Sequence, residues 1–136
     1  MPRPVTDPAV RAAYDAMPAA ARAKLLALRE MIFDEAAAIG PHAAVLETLK
    51  WGEPAYLPIK PRVGTTLRLN ALKSGGGYAL YFPCTTTLAQ TYREFHGDRL
   101  KIEGARALVF GLSETLPERE VRHCIALALT YHLKRP

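Results

Sequence analysis

Leu49-Lys50-Trp51-Gly52-Glu53-Pro54-Ala55-Tyr56 divides the chain. The residues before it read as helix; those after it read as short strands. The stretch places the only tryptophan, a glycine, a carboxylate and a proline side by side. Residues 42–50, with Ala44, Val45, Leu46 and Leu49 apolar, read as a helix that ends at this point. Gly52 suits the left-handed position after a last turn, and Pro54 cannot extend the helix. Trp51 and Glu53 have no such explanation. An indole normally buries most of its ring and finds an acceptor for its N–H. A carboxylate in the extended position before a proline is not demanded by the turn.

Working back toward the N-terminus, Ala19 to Ile39 is rich in Ala, Leu, Arg, Lys and Glu, all good helix formers. Leu25, Leu28, Ile32, Ala36 and Ile39 step by three and four, so they form one apolar stripe. Gly40-Pro41 ends that helix. Thr6 or Asp7 caps a shorter helix over 8–16, with Pro8 at its first position. Residues 1–6 are Pro-rich and read as loose. Glu30, Asp34 and Glu35 form a small acidic group on the long helix. Hard cations favour such groups, but a solvated helix face is the ordinary meaning of exposed Glu and Asp.

Working forward, 55–59 reads as a strand that Pro58 limits to a sheet edge or a short piece. Residues 65–72 alternate, with Thr65, Leu67, Leu69 and Ala71 on one face and Thr66, Arg68 and Asn70 on the other. Ser74-Gly75-Gly76-Gly77 is a hairpin loop. In the strand 78–82, Tyr78, Leu80 and Phe82 face one way and Tyr81 the other. Cys84-Thr85-Thr86-Thr87 leads into a helix over 88–95. Strands at 100–103 and 107–110 flank a turn at Gly104. Acidic residues at Glu118 and Glu120 suit the first turn of a last helix, which runs on to Leu133-Lys134-Arg135 with cations at its negative end. Helices, strands, helix, strands, helix is an α+β order. It predicts a single domain over residues 1–136, with a mainly antiparallel sheet of about five strands and N- and C-terminal helices packed on it.

A chain of 136 residues with 49% hydrophobic and 23% charged residues can build a core without staples, which excludes a disordered chain. There is no run of about 18 apolar residues to span a membrane and no apolar h-region after Met1, so the expectation is cytoplasmic. Cys84 and Cys124 share no metal or redox spacing and read as buried free thiols. A net charge of +5 suits an anionic partner. The basic residues are scattered, however, which disfavours nucleic acid.

Motifs of chemistry are sparse. The chain has no HExxH, CxxC, Ser/His/Asp order or phosphate loop. On the last helix, His123 and His132 are nine residues apart and fall on opposite faces at about 100° per residue. Cys124 and His132 share a face but lie about 12 Å apart along the axis. Neither pair holds a metal, and His132 reads as a hydrogen-bonded core histidine. No cofactor is implied. The remaining unexplained polar and aromatic residues converge on the end of the strand 78–82, where free N–H groups and threonine hydroxyls can bind an anion. Trp51, Glu53, Arg68, Tyr81, Cys84, Thr86 and His132 are therefore the candidate ligand-binding residues. The alternative is a packed helix–sheet junction with satisfied side chains.

Lys50-Trp51-Gly52-Glu53-Pro54-Ala55-Tyr56 resembles the signature of the YdhG-like domains of unknown function, which carry a similar W/Y-G-x-P-x-[FY] stretch after a helical start. Ala107-Leu108-Val109-Phe110 and Leu116-Pro117-Glu118-Arg119-Glu120-Val121 resemble that family's last strand, Leu-Pro turn and final helix. Thr66-Leu67-Arg68, Tyr81-Phe82-Pro83-Cys84 and Thr130-Tyr131-His132 are similar to one subgroup. The resemblance covers residues 15–133 and implies a compact α+β fold. It also implies, for some members, a frataxin-like iron carrier. Iron delivery calls for a carboxylate-rich surface, whereas this chain has 18 Lys and Arg against 13 Asp and Glu. Three readings remain open: a domain that binds a small anionic ligand or a protein partner without catalysis, as monomer or homodimer; an iron or metal carrier; or an enzyme using Cys84 or His132.

Overall fold

The computed structural model describes residues 2–133. Helix α1 (Pro8–Asp15) and helix α2 (Ala19–Ile39) come first, then a single 3-10 turn at Pro41–Ala43. Four strands come next: β1 (Val45–Lys50), β2 (Glu53–Pro58), β3 (Leu67–Ala71) and β4 (Gly77–Tyr81). Helix α3 (Leu88–His96), strands β5 (Lys101–Glu103) and β6 (Ala107–Gly111), and helix α4 (Glu118–Leu129) complete the chain. The fold is α+β, and its one sheet has six antiparallel strands in the order β1-β2-β3-β4-β6-β5.

Local chemistry sets the first helices. Asp7 accepts a bond of 2.8 Å from the Ala9 amide and Pro8 occupies the first helical position, as the capping pattern predicts. Leu25, Leu28, Ile32 and Ala36 are buried along one side of α2. Each such leucine or isoleucine stabilises the fold by roughly 1.5–3 kcal/mol. Residues 2–6, expected to be loose, are tied down instead: the Arg3 and Pro4 carbonyls both accept from Arg29 on α2.

All four helices lie on one face of the sheet. Tyr56, Leu67, Leu69, Tyr78, Leu80, Leu108 and Phe110 join buried residues of every helix in one core. On the opposite face, Ala79, Ala107 and Val109 cluster with Leu72 and Tyr81, and no helix residue takes part.

The segment expected as a third helix is strand β1. Its alternation is disguised. Val45, Glu47 and Leu49 point to the helices, so a carboxylate sits on the buried face, while Leu46 on the other face is 54% exposed. Reading Leu46 as core and Glu47 as surface gives a helix; the buried partners of Glu47 reverse it. Trp51-Gly52 is consequently a two-residue hairpin loop and not a helix end. Both residues have positive φ, 56° and 76°, which is the type I′ geometry that matches strand twist. Lys50 pairs with Glu53 across it.

Pro58 does not mark an edge strand, because β2 is the second strand and the edges are β1 and β5; it ends a short strand of six residues instead. β3 pairs with β2 only at Ala55 and Tyr56, the stretch between Pro54 and Pro58. A proline has no N–H to donate, so the two prolines bracket the part of β2 bonded on both sides.

The last helix is shorter than predicted. It ends at Leu129, where the Thr130 hydroxyl donates back to the Ala126 carbonyl at 2.8 Å. The His132 amide then donates to the Val63 carbonyl at 2.7 Å, drawing the chain out of the helical path. Lys134 and Arg135 lie outside the described residues. Among the described residues, no helix is long and apolar enough to cross a membrane.

Candidate functional site

Three of the predicted residues meet on the helix-free face of the sheet. Register places Ala55 opposite Arg68 and Arg68 opposite Tyr81. Arg68 donates to Glu53 Oε1, and Asn70 Nδ2 donates to Glu53 Oε2 at 2.8 Å. Both carboxylate oxygens are thus used where Pro54 stops the main-chain ladder. The Arg68 guanidinium lies 5.5 Å from the centre of the Tyr81 ring, within cation–π range. Burial, and then the Glu53 charge, push the Tyr81 hydroxyl above its ordinary range.

Trp51 stands at the tip of the hairpin that carries Glu53. It is 88% exposed, the most exposed large apolar side chain among the described residues. A buried indole was the ordinary expectation, and the structure reverses it.

The other predicted residues lie elsewhere. The Thr86 hydroxyl donates to the Pro83 carbonyl at 2.7 Å, so it braces the loop after β4. Cys84 in the same loop is exposed, contrary to its reading as a buried thiol; Cys124 is buried. Burial pushes the Cys124 thiol up to about 12. His132 is not a core histidine. It is exposed beyond α4 and lines a cleft with Lys60, Arg62 and Gly64. Among the described residues, five surface clefts stand out, and of the seven predicted residues only His132 lines one of them. The predicted single pocket is therefore four separate places: a hairpin tip with Trp51, a ladder on the sheet face, a loop and a basic cleft.

Two arrangements escaped the sequence reading. The first is a buried polar network. Arg29 is 3% exposed, and all of its N–H groups are engaged: with Glu47 through Nε and Nη2, with Arg3 and Glu30 through Nη1, and with Pro4 through Nη2. Tyr56 donates to Glu47 at 2.8 Å and shares a 2.5 Å bond with Tyr14. Burial holds both tyrosine hydroxyls above their ordinary range. Every partner is spoken for, so the network joins the N-terminal segment, α1, α2, β1 and β2 and leaves nothing to bind a ligand. Its signal was present: Arg29 lies on the apolar side of α2, one turn from both Leu25 and Phe33.

The second is a pair of histidines from different helices. His96 Nε2 lies 2.9 Å from His123 Nδ1, in a cleft of about 270 Å³ that Phe95, Arg99, Arg119 and Glu120 also line. Testing each histidine only against its own helix hid the pair. The acidic group on α2 is engaged: Arg3 bridges Glu30 and Asp34, and Arg122 bridges Asp34 and Glu35. Among the described residues, no three His, Cys, Asp or Glu side chains are grouped so as to hold a metal ion.

No protein-family profile, no curated protein and no solved structure matches this chain.

Proposed function

We propose that this chain is a non-catalytic binding domain that docks a partner protein through its Trp51 hairpin and the helix-free sheet face, and that the partner presents an acidic segment. The observation that carries this reading is Trp51 itself. It is 88% exposed and held at a φ of 56°. A side chain in the left-handed region costs roughly 1–2 kcal/mol, and Asn fits the first position of a type I′ turn better. Tryptophan is thus the wrong residue for the fold here, while an exposed indole on a rigid support is a strong interface anchor.

The net charge of +5 and the exposed Lys50 beside Trp51 favour an acidic partner over a second copy, which would bring like charges together. The Glu53–Arg68–Asn70 ladder holds the hairpin base firm. A catalytic role for Cys84 or His132 draws no support, because each stands in a different place without a hydrogen-bonded base or acid among the described residues. The iron-carrier reading draws none either, since arginines occupy the carboxylates of α2. Kinship with the YdhG-like domains rests on the stretch Lys50 to Tyr56, which forms the turn of the β1–β2 hairpin, together with the similar stretches at 66–68, 81–84, 107–110, 116–121 and 130–132.

The test uses Trp51→Asn. Partner proteins retained by the immobilised wild-type domain are purified and titrated against it in solution. Since Trp51 is the only tryptophan, its emission reports the site directly. A saturable blue shift that weakens with salt is expected. Trp51→Asn, which lacks that emission and is titrated by calorimetry beside the wild type, is expected to lose binding while gaining about 1 kcal/mol of stability in denaturant unfolding. Unchanged binding by that variant would remove the proposal.

A further inference from the structure

We propose that the cleft between the end of α3 and the first turns of α4 is a binding site for a phosphate monoester, with Arg119, Arg99 and His123 as its donors, Phe95 as a shelf for the organic body, and His96 as the residue that positions His123. This site is distinct from the Trp51 surface and stands or falls independently of it.

His96 sets the chemistry of the cleft. Its Nδ1 is buried and has no hydrogen-bond partner among the described residues, whereas its Nε2 faces His123 Nδ1 at 2.9 Å. A buried N–H without an acceptor is costlier than a bare lone pair in the same place. The His96 proton therefore resides on Nε2 and is donated to His123 Nδ1. That bond fixes the second tautomer: neutral His123 must carry its proton on Nε2, which has no protein partner among the described residues. The bond from His96 thus orients the Nε2–H of His123 as a donor into the cleft.

The guanidiniums supply the charge. Arg119 and His123 are four residues apart on α4 and so share a face. Arg119 is exposed and forms no salt bridge with any described carboxylate. Arg99 reaches in from the turn after α3. Its only carboxylate contact among the described residues is with Glu120 at 3.6 Å, and its side chain is 65% exposed, so the pair is weak and easily exchanged for a ligand. Two guanidiniums against one carboxylate leave the cleft positive. That balance favours an anion over a metal cation, even though two histidines and Glu120 stand close by.

Size and shape narrow the ligand. A cleft of about 270 Å³ lies at the lower end of small-molecule sites, enough for a phosphoryl group and a compact body. Phe95 is 49% exposed at the cleft, with its ring 4.8 Å from His123 and nearly perpendicular to it. It offers an apolar surface next to the donors. At neutral pH a monoester is largely the dianion, with three acceptor oxygens for three donors.

The titratable and charged groups facing His96 are the His123 ring and Glu120 from α4 and Arg99 from the turn after α3. Burial first, and His123 and Arg99 with it, lower the pKa of His96, and Glu120 opposes them. That direction agrees with a ring that works as a neutral relay.

Phenyl phosphate is the probe, followed by calorimetry and by the ring nitrogens of His123 in NMR. Saturable binding, a shift at His123 Nε2, at least tenfold weakening in Arg119→Ala and further loss in Arg99→Ala/Arg119→Ala are expected; a charged hydrogen bond is worth that factor. Both arginines are exposed, so these variants keep the fold. In His96→Phe, His123 is expected to show a mixture of tautomers and weaker binding. Three results would each overturn the proposal: no heat at about 10 mM phenyl phosphate, well above a millimolar dissociation constant; equal binding by Arg119→Ala; or zinc binding at His96 and His123 with no response to phosphate.

Discussion

Arg29 shows how one side chain can determine several elements. It is buried, positively charged and fully hydrogen-bonded, and its carboxylate partner Glu47 lies on the strand that the sequence disguises. Removing it leaves the Glu47 charge buried without its counter-ion. Arg29→Ala is therefore expected to destabilise the protein by about 3–5 kcal/mol. Tyr14→Phe deletes one hydroxyl but leaves Tyr56 bonded to Glu47, and about 1 kcal/mol is expected. Urea unfolding of both variants checks the ratio; similar losses would mean that the network is not centred on Arg29. His96 gives a second expectation. Its pKa is lowered in the folded state. Below the unfolded value of about 6.5 the unfolded chain binds a proton that the native state does not, so stability falls as pH drops through that value and levels off beneath the lowered one. His96→Phe is expected to flatten this part of the stability profile measured between about pH 7 and pH 5.

Among the elements, the β1–β2 hairpin and the β4–β6 pair show opposite demands on their glycines. Gly52 supplies the second positive φ of the turn and meets nothing around it. Gly77 instead lies against the backbone of β6, where a Cβ would collide with the Phe110 carbonyl oxygen. Main chain cannot move aside as a side-chain tip can. Gly77→Ala is expected to cost about 3 kcal/mol by overpacking, measurable as a lowered melting temperature. A loss below about 1 kcal/mol would mean that the strand pair relaxes freely. Helices α1 and α2 were legible in the sequence because their caps and apolar spacing are local. Strand β1 was not, since a buried carboxylate and an exposed leucine invert its pattern.

Across the whole molecule, one sheet face is buried under four helices and the other is left to polar ladders and small residues. This division governs reactivity as well as packing. Cys124 sits in the core with residues of α2 and α3, and its thiol is pushed up to about 12, whereas Cys84 is exposed. One thiol is expected to react promptly with a labelling reagent in the native state, and the second only at the rate of unfolding. Prompt labelling of both would contradict the packing of α4. The sequence by itself determined the α+β order, both N-terminal helices, a cap at Thr6 or Asp7 and the alternation of β3 and β4. Those features depend on residues within a turn or a strand of one another. Only the tertiary structure decided that residues 45–50 are a strand, that Trp51 is exposed at a hairpin tip, that Glu53 meets Arg68 and Asn70, and that His96 meets His123. Each of those depends on partners far away in the chain, and periodicity within a segment carries no information about what lies across from it.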